Sequence, residues 1–101
     1  MLEELVDIHA QTLDRADELR LLRERYATLS RREREVMSLV VAGLFNKQVG
    51  AELGISEITV KAHRGRVMEK MKARRLPALV NMAARLQLHR REALEGIISS
   101  R

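Results

Sequence analysis

The segment from Asn46 to Arg66 reads NKQVGAELGISEITVKAHRGR, and it decides the fold expected for this chain. Two stretches with helical spacing meet at Gly54, and a glycine permits a sharp turn between two helices. Apolar residues mark an inward face on each stretch. Two helices joined by so short a turn predict a helix-turn-helix motif. The inward residues are Val49 and Leu53 on the first stretch and Val60, Val67 and Met71 on the second.

The second stretch keeps one side for solvent once its inward positions are removed. That side is cationic because it carries Lys61, and slender because it includes Gly65. Such a face fits the major groove of duplex DNA, which is about 12 Å wide. The residues expected on this face are Glu57, Ile58, Lys61, Ala62 and Gly65, with Arg64 and Arg66 at its flanks.

Start and stop signals predict further helices around this motif and an all-α fold. Ser30 and Glu33 fit a capping box at the start of one helix, which Gly43 ends. Asn46 is expected to cap the next helix. Ser56 is expected to cap the one after that, which should run to about residue 73. Leu76 and Pro77 then open a fifth helix, and a short sixth helix is expected over residues 92–99.

The first 28 residues predict a long amphipathic helix before the motif. No glycine or proline occurs between Leu2 and Arg25, and apolar residues recur there every three or four positions. A plain surface helix and a linker or dimer-forming helix both fit this pattern. The expected organisation is therefore a linker helix (1–28), a helical DNA-binding domain (29–88) and a tail or short helix (89–101).

Composition excludes several classes of function. The chain has 101 residues and no cysteine, and its three histidines lack acidic partners at the spacing of metal ligands. No nucleophile with a matching base is visible, so we expect no catalytic residue, no metal and no cofactor. The start of the chain lacks the order of a secretory signal and no apolar run is long enough for a membrane, so we expect a cytoplasmic protein.

Charge is concentrated in the middle of the chain. Residues 30–75 carry eleven Lys or Arg against five Asp or Glu, whereas residues 1–29 carry four against seven. A basic stretch of this kind most often meets nucleic acid, although a solvated basic face is an alternative.

The residues from Leu29 to Met71 resemble the LuxR-type effector domain, especially that of FixJ-like response regulators. The resemblance extends over about residues 26–88. It rests on the string from Arg32 to Val36, Gly43, Asn46, Lys47, Leu53, Ile55, Ser56, the string from Thr59 to Lys61, His63 and Lys70.

The resemblance implies roles for the residues of the motif. Asn46, Lys47, Ser56 and Thr59 would meet the phosphate backbone of DNA. The side chains against base edges would be Lys61 and Ala62, with Gly65 beside them. His63, Arg64 and Arg66 would be phosphate partners, although a packed, hydrogen-bonded His63 is an equal alternative. A pair of copies on DNA would meet through the fifth helix, at Leu79, Met82, Ala83 and Leu86.

The resemblance also implies partners outside this chain. The expected protein is a homodimer on double-stranded DNA, with RNA polymerase as a further partner and a receiver domain before the linker helix. A full-length gene that starts at Met1 would contradict the last expectation. Two other functions stay open: a promoter-binding domain like region four of a sigma factor, and a helical interaction module that binds an acidic protein rather than DNA.

Overall fold

The computed structural model describes residues 2–87, with side chains from Arg15 onward, and the expected all-α fold is confirmed. The described part contains helices and no strand. The sixth helix expected over residues 92–99 lies outside it. No helix within residues 2–87 is both long and apolar enough to cross a membrane. The helices are α1 (Leu2–Ala27), α2 (Arg31–Val41), α3 (Asn46–Leu53), α4 (Glu57–Lys70) and α5 (Leu76–Leu86).

Most of the predicted helix ends are confirmed. Ser30 and Glu33 form the reciprocal capping box of α2, with both of its hydrogen bonds present. The Ser56 side chain caps α4 by accepting from the backbone N–H of Thr59. Gly54 ends α3 in the left-handed conformation, with φ at 69°. These residues therefore fix where the motif turns.

Two predicted helix ends are wrong. The N-cap of α3 is Phe45, and Asn46 is the first residue inside the helix. Gln48 Oε1 accepts a hydrogen bond from the Phe45 backbone N–H at 2.8 Å. This bond places the cap one residue before Asn46, the expected cap. Helix α4 ends at Lys70 rather than near residue 73, because Lys72 adopts the left-handed conformation with φ at 56°.

Two buried clusters hold the helices together. The valine cluster lies under the motif, where α2, α3 and α4 meet. The linker cluster joins α1 and α5 to α2 and α4 and includes larger side chains. The valine cluster consists of Val36, Val40, Val49 and Val60. The linker cluster consists of Leu22, Leu29, Met37, Val67, Met71, Ala73, Leu79 and Ala83.

The last turns of α1 belong to the same core as the motif. Leu22 is only 4% exposed, and Tyr26 packs against the linker cluster. The Arg34 guanidinium lies 4.8 Å from the centre of the Tyr26 ring. On the outside, Arg85 of α5 donates to Glu18 of α1 at 3.1 Å. The helix expected over residues 1–28 and the domain expected over 29–88 thus share one core.

Candidate nucleic-acid interface

The turn between α3 and α4 is closed by a glycine inside α3. A Cβ on Gly50 would come within 2.7 Å of the Ile55 carbonyl oxygen, which is closer than real Cβ atoms approach. The Ile55 backbone N–H donates to the Gly50 oxygen at 3.0 Å across the same gap. From the sequence, Gly50 is a small residue within the motif and a loss of helix propensity. The structure shows that Gly50 lets the turn at Ile55 and the start of α4 lie close to α3.

The expected outward face of α4 is present. Lys61, Ala62, Gly65 and Arg66 are all exposed and lie along one side of the helix. Glu57 and Ile58 continue this side to the start of the helix, and Ile58 is 82% exposed. Val60 and Val67 are fully buried on the opposite side and hold the helix to the core. The face therefore projects from the domain on a rigid base.

The start of α4 presents two hydroxyl groups that are bonded to each other. The oxygens of Ser56 and Thr59 lie 2.8 Å apart, and Ser56 Oγ also accepts from the Thr59 backbone N–H at 3.1 Å. Only one hydroxyl hydrogen is used between the pair, so the other can be donated to an acceptor outside the protein. Both residues are exposed. This is a suitable donor for a phosphate oxygen.

The N-terminus of α3 is tied to the middle of α4. Arg64 donates from one guanidinium nitrogen to the Asn46 side-chain oxygen at 3.1 Å, and both residues are half-buried. A guanidinium has five N–H donors, so Arg64 keeps others for a phosphate. Lys47 is exposed next to this contact. The bond brings together Asn46, Lys47 and Arg64, three residues that the sequence analysis expected at the phosphate backbone.

His63 lies on the flank of α4 and is half-buried. Its Nδ1 atom is buried and has no hydrogen-bond partner among the residues that the structure describes. This burial agrees with the packed alternative, although the hydrogen bond which that alternative includes is not formed at Nδ1. A contact from His63 to a phosphate would have to use Nε2.

An ion pair between a half-exposed lysine and a buried carboxylate joins α4 to α2. Lys70 Nζ lies 2.7 Å from Glu33 Oε1 and also donates to the Thr28 carbonyl oxygen at 3.3 Å. Burial of the Glu33 carboxyl acts to raise its pKa. The hydrogen bonds from Lys70 and Ser30, with the Lys70 charge, outweigh burial and hold the pKa below its usual value. Glu33 is thus both a capping residue and an anchor for α4, and only the first role was predicted.

The predicted dimer face on α5 is partly wrong. Leu79 and Ala83 are 0% and 1% exposed and belong to the linker cluster, so they have no surface to offer a second copy. Met82 and Leu86 are half-buried against the same cluster. The reason is that α5 uses its most apolar side to close its own core. Its exposed side carries Val80, Asn81 and Ala84.

Sequence reasoning missed one residue beside the site. Phe45 precedes Asn46 and is 76% exposed. The sequence offered little signal, because Asn46 was the expected cap and a hydrophobic residue is common directly before a cap. In the described part of the chain, no group of three or more His, Cys, Asp or Glu residues comes together as a metal site.

The model of the family described as "Bacterial regulatory proteins, luxR family" matches residues 27–83 of this chain. The chain belongs to the luxR family. This match contains the whole of α2, α3 and α4 and most of α5, and therefore every residue expected at the DNA. Only the helix α1 lies almost entirely outside the luxR match.

Individual curated proteins are also similar to this chain. Nodulation protein W of Bradyrhizobium diazoefficiens is 57% identical over 65 residues, which are 64% of this chain and 29% of that protein. Transcriptional regulatory protein FixJ of Rhizobium meliloti is 52% identical over 81 residues, which are 80% of this chain and 38% of that protein. The chain thus spans only about a third of these curated relatives.

Solved structures agree with the luxR assignment and extend the likeness to α1. The response regulator StyR superposes with a TM-score of 0.71 at 33% identity, covering 83% of this chain and 46% of StyR. Full-length FixJ from B. japonicum gives a TM-score of 0.61 at 34% identity, covering 82% of this chain and 44% of FixJ. These coverages exceed the family match, so the likeness includes part of the helix before the luxR domain.

Proposed function

We propose that this chain binds duplex DNA sequence-specifically and regulates transcription, as the output domain of a two-component response regulator. The observation that carries the proposal is the exposed cationic side of α4, held on a rigid base by the valine cluster and by the close turn at Gly50. In a luxR-family helix-turn-helix, this side of α4 is the one free to enter a major groove.

The residues of the interface divide into two roles. Lys61 and Ala62 would meet base edges, with Lys61 donating to guanine acceptors and Ala62 packing on a thymine methyl. Gly65 keeps the face narrow beside them. The phosphate contacts would come from the two ends of the motif and from the edges of α4. The residues proposed to contact phosphates are Asn46, Lys47, Ser56, Thr59, His63, Arg64 and Arg66. Glu57 and Ile58 continue the side of α4 that carries Lys61 and Ala62.

The proposed dimer on DNA uses the exposed side of α5. Val80 is 38% exposed and lies with Asn81 and Ala84 on the side that faces away from the core. Small and apolar residues there allow two helices to approach closely. Val80→Glu should weaken cooperative binding to a duplex with two half-sites. Leu21→Glu is the matched control, because Leu21 is another exposed hydrophobic residue, on α1 rather than α5. Equal cooperativity in both variants would remove α5 as the interface.

The regulatory setting is proposed from the relatives. TodT of Pseudomonas putida, 47% identical over 66 residues, is a response regulator by name, as is StyR. The proposed full protein therefore has a receiver domain before α1, acts in the bacterial cytoplasm on nucleoid DNA, and contacts RNA polymerase. The luxR family match favours this function over a sigma-factor domain and over an interaction module without DNA.

The test is selection of duplexes from a random pool by this chain, repeated at two salt concentrations. Lys61→Ala should lose the enriched motif, because the base contact is gone. Arg23→Ala is the control, since it removes one positive charge from the exposed surface of α1 and should leave the motif intact. Each lost phosphate contact should reduce the slope of log affinity against log salt by about 0.9.

Each alternative predicts a different result in this selection. An interaction module would enrich no duplex and show no steep dependence on salt. A sigma-factor domain would bind poorly until core RNA polymerase is added. A motif with two half-sites that Lys61→Ala abolishes would support the response-regulator proposal against both.

A further inference from the structure

Phe45 is an exposed aromatic ring at the edge of the proposed DNA interface. It is 76% exposed, and only three other large hydrophobic residues in the described part of the chain are exposed: Leu21, Ile58 and Val80. Ile58 lies on the groove face of α4, and Val80 lies on the proposed dimer face. Phe45 has no such assignment. Its position directly before Asn46 places it beside the residues proposed to contact phosphates.

The ring occupies a position where another residue type would stabilise the domain better. Helices α2 and α4 are capped by Ser30 and Ser56, whose side chains accept from a backbone N–H of the first turn. Phe45 has N-cap geometry, with φ at −77° and ψ at 159°, but it makes no such bond because phenylalanine has no acceptor. Local departures from the stability rule of this kind are concentrated at functional sites.

The backbone that carries the ring is held firmly. The Phe45 N–H donates to Gln48 Oε1 at 2.8 Å, and its carbonyl oxygen accepts from the Val49 N–H at 2.9 Å. The next residue, Asn46, is bonded to Arg64 of α4 at 3.1 Å. Consecutive Cα atoms are about 3.8 Å apart, so the ring is attached one residue from this link between the two helices. An exposed ring on a fixed base is prepared for contact rather than for packing inside the domain.

We propose that the Phe45 ring packs on a deoxyribose of the DNA strand whose phosphates are met by Asn46 and Lys47. This inference rests on the proposed function. The backbone of DNA alternates charged phosphates with sugars that present C–H groups, and the sugars are its only apolar surface outside the grooves. A ring next to phosphate-binding residues can cover a sugar while its neighbours bind the adjoining phosphates. Such a contact removes apolar area from water.

A contact of this kind has two properties that separate it from the other interface residues. It releases no counterion, so it adds to affinity without adding to the salt dependence. It touches no base, so it strengthens binding to every duplex by the same factor. By contrast, Lys47 should contribute to the salt dependence of the affinity, and Lys61 should contribute differently to the affinity for different duplex sequences.

The experiment compares Phe45→Ser with Phe45→Leu and Lys47→Ala in the intact chain. The probes are a labelled duplex recovered by selection with the wild-type chain and a scrambled duplex of the same composition, each titrated at several salt concentrations. Phe45→Ser should weaken binding to both probes by about five- to tenfold, with an unchanged salt slope. Phe45→Leu keeps part of the apolar area, so its loss of affinity on a logarithmic scale should be about half that of Phe45→Ser. Lys47→Ala should lower the slope.

Thermal unfolding of the same proteins provides a second readout. Phe45→Ser should unfold at a higher temperature than the wild type, because serine supplies the missing cap. Phe45→Leu should not. Higher stability with weaker binding cannot arise from damage to the fold, so this combination would support a direct contact by the ring. A lower unfolding temperature for Phe45→Ser would overturn the argument from the cap.

Other outcomes would overturn the inference in distinct ways. Unchanged affinity of Phe45→Ser would show that the ring does not touch DNA, and unchanged affinity with weaker transcription would assign it to a protein such as RNA polymerase. A loss confined to the selected duplex would indicate a base contact. If the wild-type chain binds neither duplex, the proposed function fails as well. If the wild-type chain and Phe45→Ser bind equally well, only the role of Phe45 is removed.

Discussion

The valine cluster and the linker cluster differ in both composition and reach. The valine cluster contains only β-branched residues and joins three helices around the motif. The linker cluster contains leucines and methionines and extends from α1 to α5. Valine has one dominant side-chain rotamer in a helix, whereas leucine and especially methionine adapt to irregular space. The motif is therefore built on the stiffer of the two clusters.

This difference suggests a division of work within one domain. Helices α2 and α4 contribute to both clusters. The valines pack α4 against α2 and α3, whereas larger side chains attach it to α1 and α5. Substitutions in the linker cluster should reduce stability most. Substitutions around the valine cluster should have more effect on DNA affinity for each unit of stability lost.

The largest expected effect is that of Leu79→Ala. Leu79 is 0% exposed in the linker cluster, and truncation of a buried leucine costs about 2 to 5 kcal/mol. Val60→Ala removes fewer atoms from the valine cluster and should cost about 2 kcal/mol. Denaturant unfolding measures both. At temperatures where both variants are folded, Val60→Ala should weaken DNA binding more than Leu79→Ala, and the reverse order would contradict the division of work.

The next effect is that of Gly50→Val. A Cβ there already meets the Ile55 carbonyl oxygen at 2.7 Å, so a branched side chain must open the turn. We expect a loss of about 2 to 3 kcal/mol together with weaker DNA binding, since the angle of α4 changes. Gly65→Val is the matched control for stability alone, because a Cβ on Gly65 meets no atom within 4 Å but the residue lies on the proposed DNA face. Equal losses in the two variants would mean that helix propensity, not the close turn, sets the cost.

A smaller effect is expected from the Glu33 and Lys70 pair, and it depends on pH. The Glu33 pKa is lowered in the folded state, so the pair stabilises the fold above the unfolded pKa and loses this contribution as pH falls through the folded value. Glu33→Gln should cost about 1 to 2 kcal/mol at neutral pH. The difference in free energy of unfolding between the wild type and Glu33→Gln should narrow below about pH 4.3, the ordinary pKa of a glutamate.

The control for this pH dependence is Glu35→Gln. The Glu35 carboxylate pairs with Arg31 and Arg32 on the surface of α2 rather than in the core. Exposed pairs contribute little, so this variant should stay close to the wild type at every pH. A constant gap between wild type and Glu33→Gln across the acid range would exclude the carboxylate of Glu33 as the titrating group.

The smallest effect is a gain in stability from Gly65→Ala. The new methyl group meets no atom of the protein, and alanine favours a helix interior by about 1 kcal/mol over glycine. Ala62→Gly, on the same exposed side of α4, should lose a similar amount. Thermal unfolding compares the two. No gain for Gly65→Ala would show that the glycine is needed for the shape of α4 itself.

Local signals in the sequence predicted the helix ends well. The capping box at Ser30, the cap at Ser56 and the turn at Gly54 each involve residues within a few positions of each other, and all three are present. The prediction that Asn46 is the cap was wrong because the N-cap preference ranks asparagine above phenylalanine. The rule cannot see that Asn46 is bonded to Arg64, eighteen positions along the chain.

The spacing of apolar residues did not predict which face of each helix packs in the core or which helix it contacts. The apolar residues of α5 are spread over a broad face, and the pattern does not tell whether Leu79 or Val80 faces the core. The same holds for α1, whose stripe predicted a helix but not its partner. Glu33 was predicted as a cap, while its contact with Lys70 depends on the crossing of two helices.

Tyr26 has an optical consequence. It is the only tyrosine of a chain without tryptophan, and it lies where the end of α1 meets the linker cluster beneath Arg34. Its fluorescence therefore reports on a single place in the molecule, away from the groove face of α4. An emission change larger than the loss of exciting light absorbed by the duplex would reveal that the seam between α1 and the motif responds to DNA, with no label attached to the protein.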